Sequence, residues 1–340
     1  MASFRKTLVL TLGITFVLGL SCAAAAKKRK VDPPGFLFIA NQYEHAALLF
    51  DLGTKAVVSR IEVGVNGHEV AVDLAGHFGY VPIYGNSGVG KPGTDGDRID
   101  IIDLKEGKLA GSIPMGKPVR PHCAKFGPDG FLYVSAELVQ ALYVVDVKAR
   151  KVIGEIPTGA IESHMFVISP DGKRAYTANV HAGSVSVLDL EKRSLITVIP
   201  VAKIVQRISI SPMGDLVYTH DQDASIVYAI DTFSNGIVKR MNVPASIYSS
   251  QLTLTGNTFV AVSPSGKLFV FNLEFRKIME TFEVPQALGE VALTSQSNYA
   301  YVSFPAAGVI EVLNLDTYKL EAPITLTPGI DGLEWFAAVK

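Results

Sequence analysis

Histidines recur at one position of a repeating unit. Counting back eight residues from the turn glycine of successive units gives His68 (to Gly76), His122 (to Gly130), His164 (to Gly172) and Gln206 (to Gly214). From His122 the interval is constant, with His122, His164, Gln206, Tyr248 and Glu290 each 42 residues apart, the mark of a repeat architecture. Neutral imidazoles on adjacent repeats suit a divalent transition metal. His68, His122 and His164 form the candidate metal set, with Glu290 or solvent in a further position. Zinc, copper and iron are all compatible with such ligands, and an open position on the metal would activate water or oxygen. A metal-free alternative makes one histidine a general acid or base while Arg120 or Arg207 holds an anionic group of a substrate. In a third alternative the histidines only hydrogen-bond neighbouring backbone.

Other polar residues gather near this position in the chain. Glu69, Arg120, Glu162, Arg207 and Asp331 flank it, and Glu137 and His220 end the following strands. His122, His164, Glu137, Arg120 and Arg207 are therefore the candidate catalytic groups. Glu69, Tyr84, Glu162, Gln206, Tyr248 and Asp331 are the candidate ligand-binding groups, Gln206 and Tyr248 in supporting positions. His45 and His181 fall in loops expected at the same end, whereas His77 lies beside a turn at the surface. One unit is enlarged, with 54 residues between His68 and His122, and the excess falls in a glycine-rich segment, Gly85 to Asp97, placed to arch over the site as a lid. Within it Gly85-Asn86-Ser87-Gly88-Val89-Gly90-Lys91 imitates a phosphate-binding loop. Pro92 stands where the Ser or Thr is needed, and the segment joins two strands, so nucleotide hydrolysis is excluded. Cys123 follows His122, but neighbours on a regular strand point apart; a Cys–His pair would need a bulge, and a small buried thiol is expected.

The elements that position these residues are short strands. His164-Met165-Phe166-Val167-Ile168 leads into the turn Ser169-Pro170-Asp171-Gly172, and Arg174 to Ala178, Ser184 to Leu190 and Ser194 to Pro200 follow as further strands. The third strand of each unit ends in Asp51, Asp103, Asp146, Asp189, Asp231, Asn272 or Asn314, seven markers whose side chains can accept amide hydrogens of the next turn. The series opens on what reads as a second strand, Phe36 to Ala40, and ends on an unpartnered first strand, Leu333 to Val339. Pairing these ends closes a ring and removes two sheet edges. The expected fold is all-β: a seven-bladed β-propeller of four-stranded antiparallel blades over residues 36–340, closed by the C-terminal strand against the N-terminal blade.

Ile168 to Asn179 and Gly183 to Asp189 resemble the repeat of the YVTN family of bacterial β-propellers, the YncE-type proteins. The resemblance covers about residues 36–340 and implies the propeller fold. It is weak for function: similar proteins include exported proteins of unknown role, surface-layer proteins and accessory proteins of periplasmic redox systems, and related propellers include lactonases, lyases and metal-dependent oxidases. It also raises single-stranded DNA binding, which a formal charge of −1 and the lack of a basic, aromatic stripe oppose.

The N-terminus reads as a targeting segment. Arg5 and Lys6 precede the apolar run Leu8 to Leu20 and the small residues Ala23 to Ala26, so residues 1–26 are a signal peptide and the mature protein has no transmembrane span. Residues 27–35 form a leader in which Lys27 to Lys30 imitate a nuclear-import signal but follow an export signal. A periplasmic or secreted monomer is expected, with lipidation at Cys22 the lesser reading. Only Cys123 remains beyond the signal, so no internal disulfide forms. Two functions compete: an exported propeller binding a small-molecule ligand, with a divalent metal, as a hydrolase, lyase or oxidoreductase; or a non-catalytic scaffold engaging an envelope protein. Dependence on His122 and His164 separates them.

Overall fold

A computed structural model describes residues 35–286, 289–294 and 298–337. The expected signal peptide, Cys22 and most of the expected leader lie outside these residues. Strands of two to nine residues, rich in Val, Ile, Tyr and Phe and separated by Gly-, Pro- and Asp-containing turns, form seven antiparallel sheets, each a blade. In the fourth blade Ser163–Ile168, Arg174–Asn179, Ser184–Asp189 and Ser194–Pro200 pair in chain order from the axis outward. The two middle strands are buried along nearly their whole length, because each blade packs between two others. The outer strands are open to solvent on one side and carry more exposed residues. One hydrophobic cluster joins Tyr133 and Val144 of the third blade, Phe166 and Tyr176 of the fourth and Val217 of the fifth.

The seven turn markers act as expected. Asp51 Oδ1 accepts the Gly53 amide at 2.7 Å, Asp231 accepts that of Ser234 at 2.7 Å, and Asn314 accepts those of Asp316 and Thr317, both at 3.0 Å. Asp103, Asp146, Asp189 and Asn272 do the same in their blades.

Ring closure follows the offset in the repeats. Ile330–Ala337 pairs antiparallel with Gly35–Asn41 and supplies the innermost strand of the first blade, with Phe36 opposite Phe336 and Leu37 opposite Trp335. The two phenyl rings stack at 5.5 Å. Among the described residues no helix is long and apolar enough to cross a membrane.

The innermost strands set the site. In blades three, four and five their pairing slips by one residue, between Pro121 and Ala124, Ser163 and Phe166, and Val205 and Ile208. These bulges recur at the 42-residue repeat and break strict alternation at the positions of interest.

Candidate functional site

The bulges and left-handed backbone at the strand starts aim side chains into the channel. Asn66, Arg120 and Glu162 have φ of 55°, 56° and 55°, a conformation rare for residues with a Cβ and concentrated at functional sites. Gln206 and its neighbour Arg207 both line the resulting cavity, as a bulged strand allows and a regular one does not.

The three slot histidines meet. His68 Nε2 and His122 Nε2 lie 2.8 Å apart, and the His122 and His164 rings lie 3.6 Å apart between centroids at 31°. Their tautomers follow from their neighbours. The Asn66 amide group donates to Gly85 O at 2.8 Å, which turns Asn66 Oδ1 toward His68 Nδ1 at 3.2 Å. His68 therefore carries its proton on Nδ1, and its Nε2 accepts from His122 Nε2–H. His122 Nδ1 is left as a buried lone pair without a partner. His164 donates from Nδ1 to Glu137 Oε2 at 3.3 Å and accepts at Nε2 from the Gln206 amide at 3.0 Å. Gln206 is held in turn by Gln222.

Burial keeps these imidazoles neutral. It pulls His68 down to about 3, with His164 and Arg207 adding to the effect. Burial, then His164 and His68, hold His122 well below the ordinary value, and burial lowers His164 despite Glu137. Glu137 is buried too, which alone would raise it. Hydrogen bonds from His164 and Tyr84, the latter 2.8 Å from Oε2, together with Arg120 hold it below the usual range.

A second cluster faces the first. Arg207 pairs with Glu69 at 3.2 Å and with Glu290 at 2.7 Å, and it lies 5.5 Å from the Tyr248 ring centre. Two carboxylates share one guanidinium, and burial, with Glu69 adding to it, raises Glu290 to about 7 against the pull of Arg207. Burial and Glu69 push Asp331 well above the ordinary carboxyl value; its Oδ2 accepts from Gln42 Nε2 at 3.2 Å.

A cavity of about 500 Å³ lies between the clusters. His68, His122, His164, Gln206, Arg207, Glu69, Tyr84, Tyr248 and Asp331 all line it. Four expected site residues stand apart. Glu290 belongs to the Arg207 cluster and does not join the histidines. Glu137 lies behind His164. Glu162 sits at the rim against His181. Arg120, expected to hold a substrate anion, has its donors committed to the protein: Asp95 at 2.8 Å, Gly88 O at 2.9 Å, Lys91 O at 3.0 Å and Glu137 at 3.4 Å.

That last set of bonds defines the enlarged loop. The segment leaves the strand Phe78–Gly85, enters the strand Asp95–Asp103 and is fastened over the cavity by Arg120, bringing Ser87, Gly88 and Val89 into its wall. No helix follows Lys91, in keeping with the exclusion of a phosphate-binding loop. Among the described residues, no group of three or more His, Cys, Asp or Glu side chains is arranged to hold a metal ion. The bulge that a Cys–His pair would require is present, yet the Cys123 thiol is buried in a hydrophobic cluster and raised by that burial to about 11, far from a nucleophilic thiolate. Asn66, Gln222 and Asp95 went unread in the sequence because they act through folded neighbours. The left-handed starts and the bulges leave no composition signal.

His220 lies near Arg207, buried, with neither ring nitrogen hydrogen-bonded. Burial holds its value at about 3, while an unfolded imidazole titrates near about 6.5. The unfolded chain thus binds the proton first, and stability is lost as pH falls from 6.5 toward 3. His220→Leu is expected to stabilise the fold by about 1 kcal/mol at neutral pH, by removing unsatisfied polar atoms. It is also expected to flatten that acid slope, and urea unfolding across pH checks both effects.

No protein-family model matches the chain. YwhL, an uncharacterized protein of Bacillus subtilis (strain 168), is 24% identical over 329 residues, covering 88% of this chain. The match spans 64% of that relative's length. A chain of Kuenenia stuttgartiensis hydrazine synthase superposes with a TM-score of 0.68 at 18% identity, covering 89% of this chain and 99% of its own. The likeness is one of fold, and YVTN-family membership gains no support from a family model. The chain is a seven-bladed β-propeller.

Proposed function

We propose that this propeller binds a small, neutral, hydrogen-bonding ligand in the cavity at the histidine-bearing end of its channel. The observation that carries this is the distribution of unsatisfied atoms. Ser87 Oγ, His122 Nδ1 and Arg207 Nε are buried without partners, and all three residues line the one cavity. Buried polar atoms are otherwise satisfied in folded proteins, so their convergence marks where an outside group supplies the bonds. Charge narrows the ligand class. Arg207 is held by Glu69 and Glu290 and Arg120 by Asp95 and Glu137, so neither guanidinium is a free cation, and burial favours the uncharged forms of the histidines and of Asp331. What remains on offer is an imidazole lone pair, a hydroxyl, the Asp331 carboxyl and the rings of Tyr84 and Tyr248. A polyol or amide fits this set better than an anion or a cation.

One observation favours a second reading with a divalent metal. His68 Nε2 and His122 Nε2 face each other at 2.8 Å. Two nitrogens bound tetrahedrally at about 2.0 Å stand about 3.3 Å apart, so the rings would need to open by roughly half an ångström and His122 to move its proton to Nδ1. Zinc, copper or iron held there would act as a Lewis acid toward a ligand in the cavity. His164 and Glu290 have other partners, which is why this reading stands second. Export through residues 1–26 and a periplasmic or secreted location belong to the proposal and are supported by the basic-then-apolar pattern alone. Shared fold with an enzyme subunit assigns no reaction. Binding of neutral polar fragments to wild type, lost in His122→Asn, is the expected outcome by ligand-observed NMR.

A further inference from the structure

The channel holds a second chamber. Glu69 and Arg207 line the histidine cavity, and Glu69 and Glu290 line a separate cavity of about 380 Å³, so the ion cluster lies between the two. The far cavity is lined by lower residues of the innermost strands, among them Lys125, Gln251 and Glu334. Its volume falls within the range of small-ligand sites, roughly 300 to 1,000 Å³.

Two groups of opposite charge there are incompletely partnered: Lys125, and Glu334, whose carboxyl burial raises to about 7 against the pull of Lys125. Lys125 is half-buried and, among the described residues, its ammonium makes no ion pair or side-chain hydrogen bond. Burial disfavours that charge, yet Cys123, Glu334, Glu290 and Glu69 hold it above the ordinary lysine value. Glu334 accepts the Val72 amide on Oε2 at 2.8 Å, which leaves its other oxygen unbonded. Lys125 and Glu334 line the same cavity and form no ion pair with each other, so a ligand that carries both charges can engage the two at once. A plain anion on Lys125 would meet the carboxylates of Glu334, Glu69 and Glu290, and a plain cation on Glu334 would meet Lys125.

We infer that the far cavity is a binding site for a small zwitterion, an amino acid whose carboxylate pairs with Lys125 and whose ammonium pairs with Glu334. The chamber is distinct from the histidine cavity and binds independently of it. Charge-assisted bonds at both ends give such a ligand its orientation.

Calorimetric titration of the full chain with L-alanine, β-alanine and 4-aminobutyrate, which differ in charge separation, tests the inference, with acetate and ethylammonium as single-charge controls. At least one zwitterion is expected to bind saturably, about ten-fold or more tightly than either control. Lys125→Met and Glu334→Gln should each weaken it by about ten-fold, with unchanged circular dichroism, whereas His122→Asn should leave it unaltered. Acetate binding as tightly as the zwitterions, no saturable binding by any of the three, or full binding in a folded Lys125→Met would overturn the inference.

Discussion

Arg207→Met is expected to cost about 3–5 kcal/mol of folding stability, because it strands two buried carboxylates. Glu69 and Glu290 lie within 3.2 Å and 2.7 Å of the guanidinium, and no other cation forms an ion pair with either among the described residues. Methionine fills much of the same volume, so the loss is electrostatic and not a packing defect. The variant's pH dependence follows from sign. Without the arginine the folded value of Glu290 rises further above the unfolded value of about 4.3. It contributes stability that is present below that value and lost as pH rises through the folded one. Glu290 already stands at about 7 with the arginine in place, so the deficit should be smallest near pH 5 and largest above 7. Urea unfolding at both pH values measures it. An equal deficit at the two pH values would place the effect in packing.

Removing Ile330 to Lys340 should leave no cooperatively folded monomer. The strand Ile330–Ala337 is the innermost strand of the first blade and supplies the sheet pairing between the two ends of the repeat series, beside hydrogen bonds from Asn41 and Gln42 to residues 327–329. Its loss exposes the edge of Gly35–Asn41 and withdraws Ile330 and Leu333 from a core shared with Tyr301, Ile310 and Val312 of the seventh blade. Burial of each such side chain is worth about 1.5–3 kcal/mol, against a total stability of about 5–15 kcal/mol for a domain. The pairing bonds and the ring contact are lost with it. Circular dichroism and gel filtration are the readouts, and addition of a peptide spanning 330–340 should restore structure in trans. A truncated chain that unfolds in one sharp transition as a monomer would mean the ring is held closed by other contacts.

Fold and site were legible to different depths. The 42-residue interval, the Asp and Asn turn markers and the mismatch between the first and last strands follow directly from local chemistry, and each has its counterpart in the structure. Slot position also brought His68, His122 and His164 into contact, because a repeat places equivalent residues around one axis. Partnership was harder to read. Glu290 shares the slot with the histidines but turns to Arg207, which enters the channel only because the strand bulges between Val205 and Ile208. Arg120 looked like an anion holder beside the site. In the fold its backbone takes a left-handed start and its side chain ties down a loop 32 residues earlier in the chain. Alternation rules carry no information about a bulge, and a long-range clamp leaves no pattern in spacing.

The central claim is that the histidine-lined cavity recognises a neutral polar ligand. Its most direct test is ligand-observed NMR with a matched set of small polar fragments, each in neutral, anionic and cationic form, against wild type and His122→Asn, with zinc, copper and iron added in separate runs. Neutral members are expected to bind in preference to their charged counterparts, and His122→Asn is expected to abolish this binding without unfolding the protein. Preferential binding of charged members, or neutral binding that persists in the variant, would contradict it; binding that requires one of the metals would shift the site to the two-histidine metal reading.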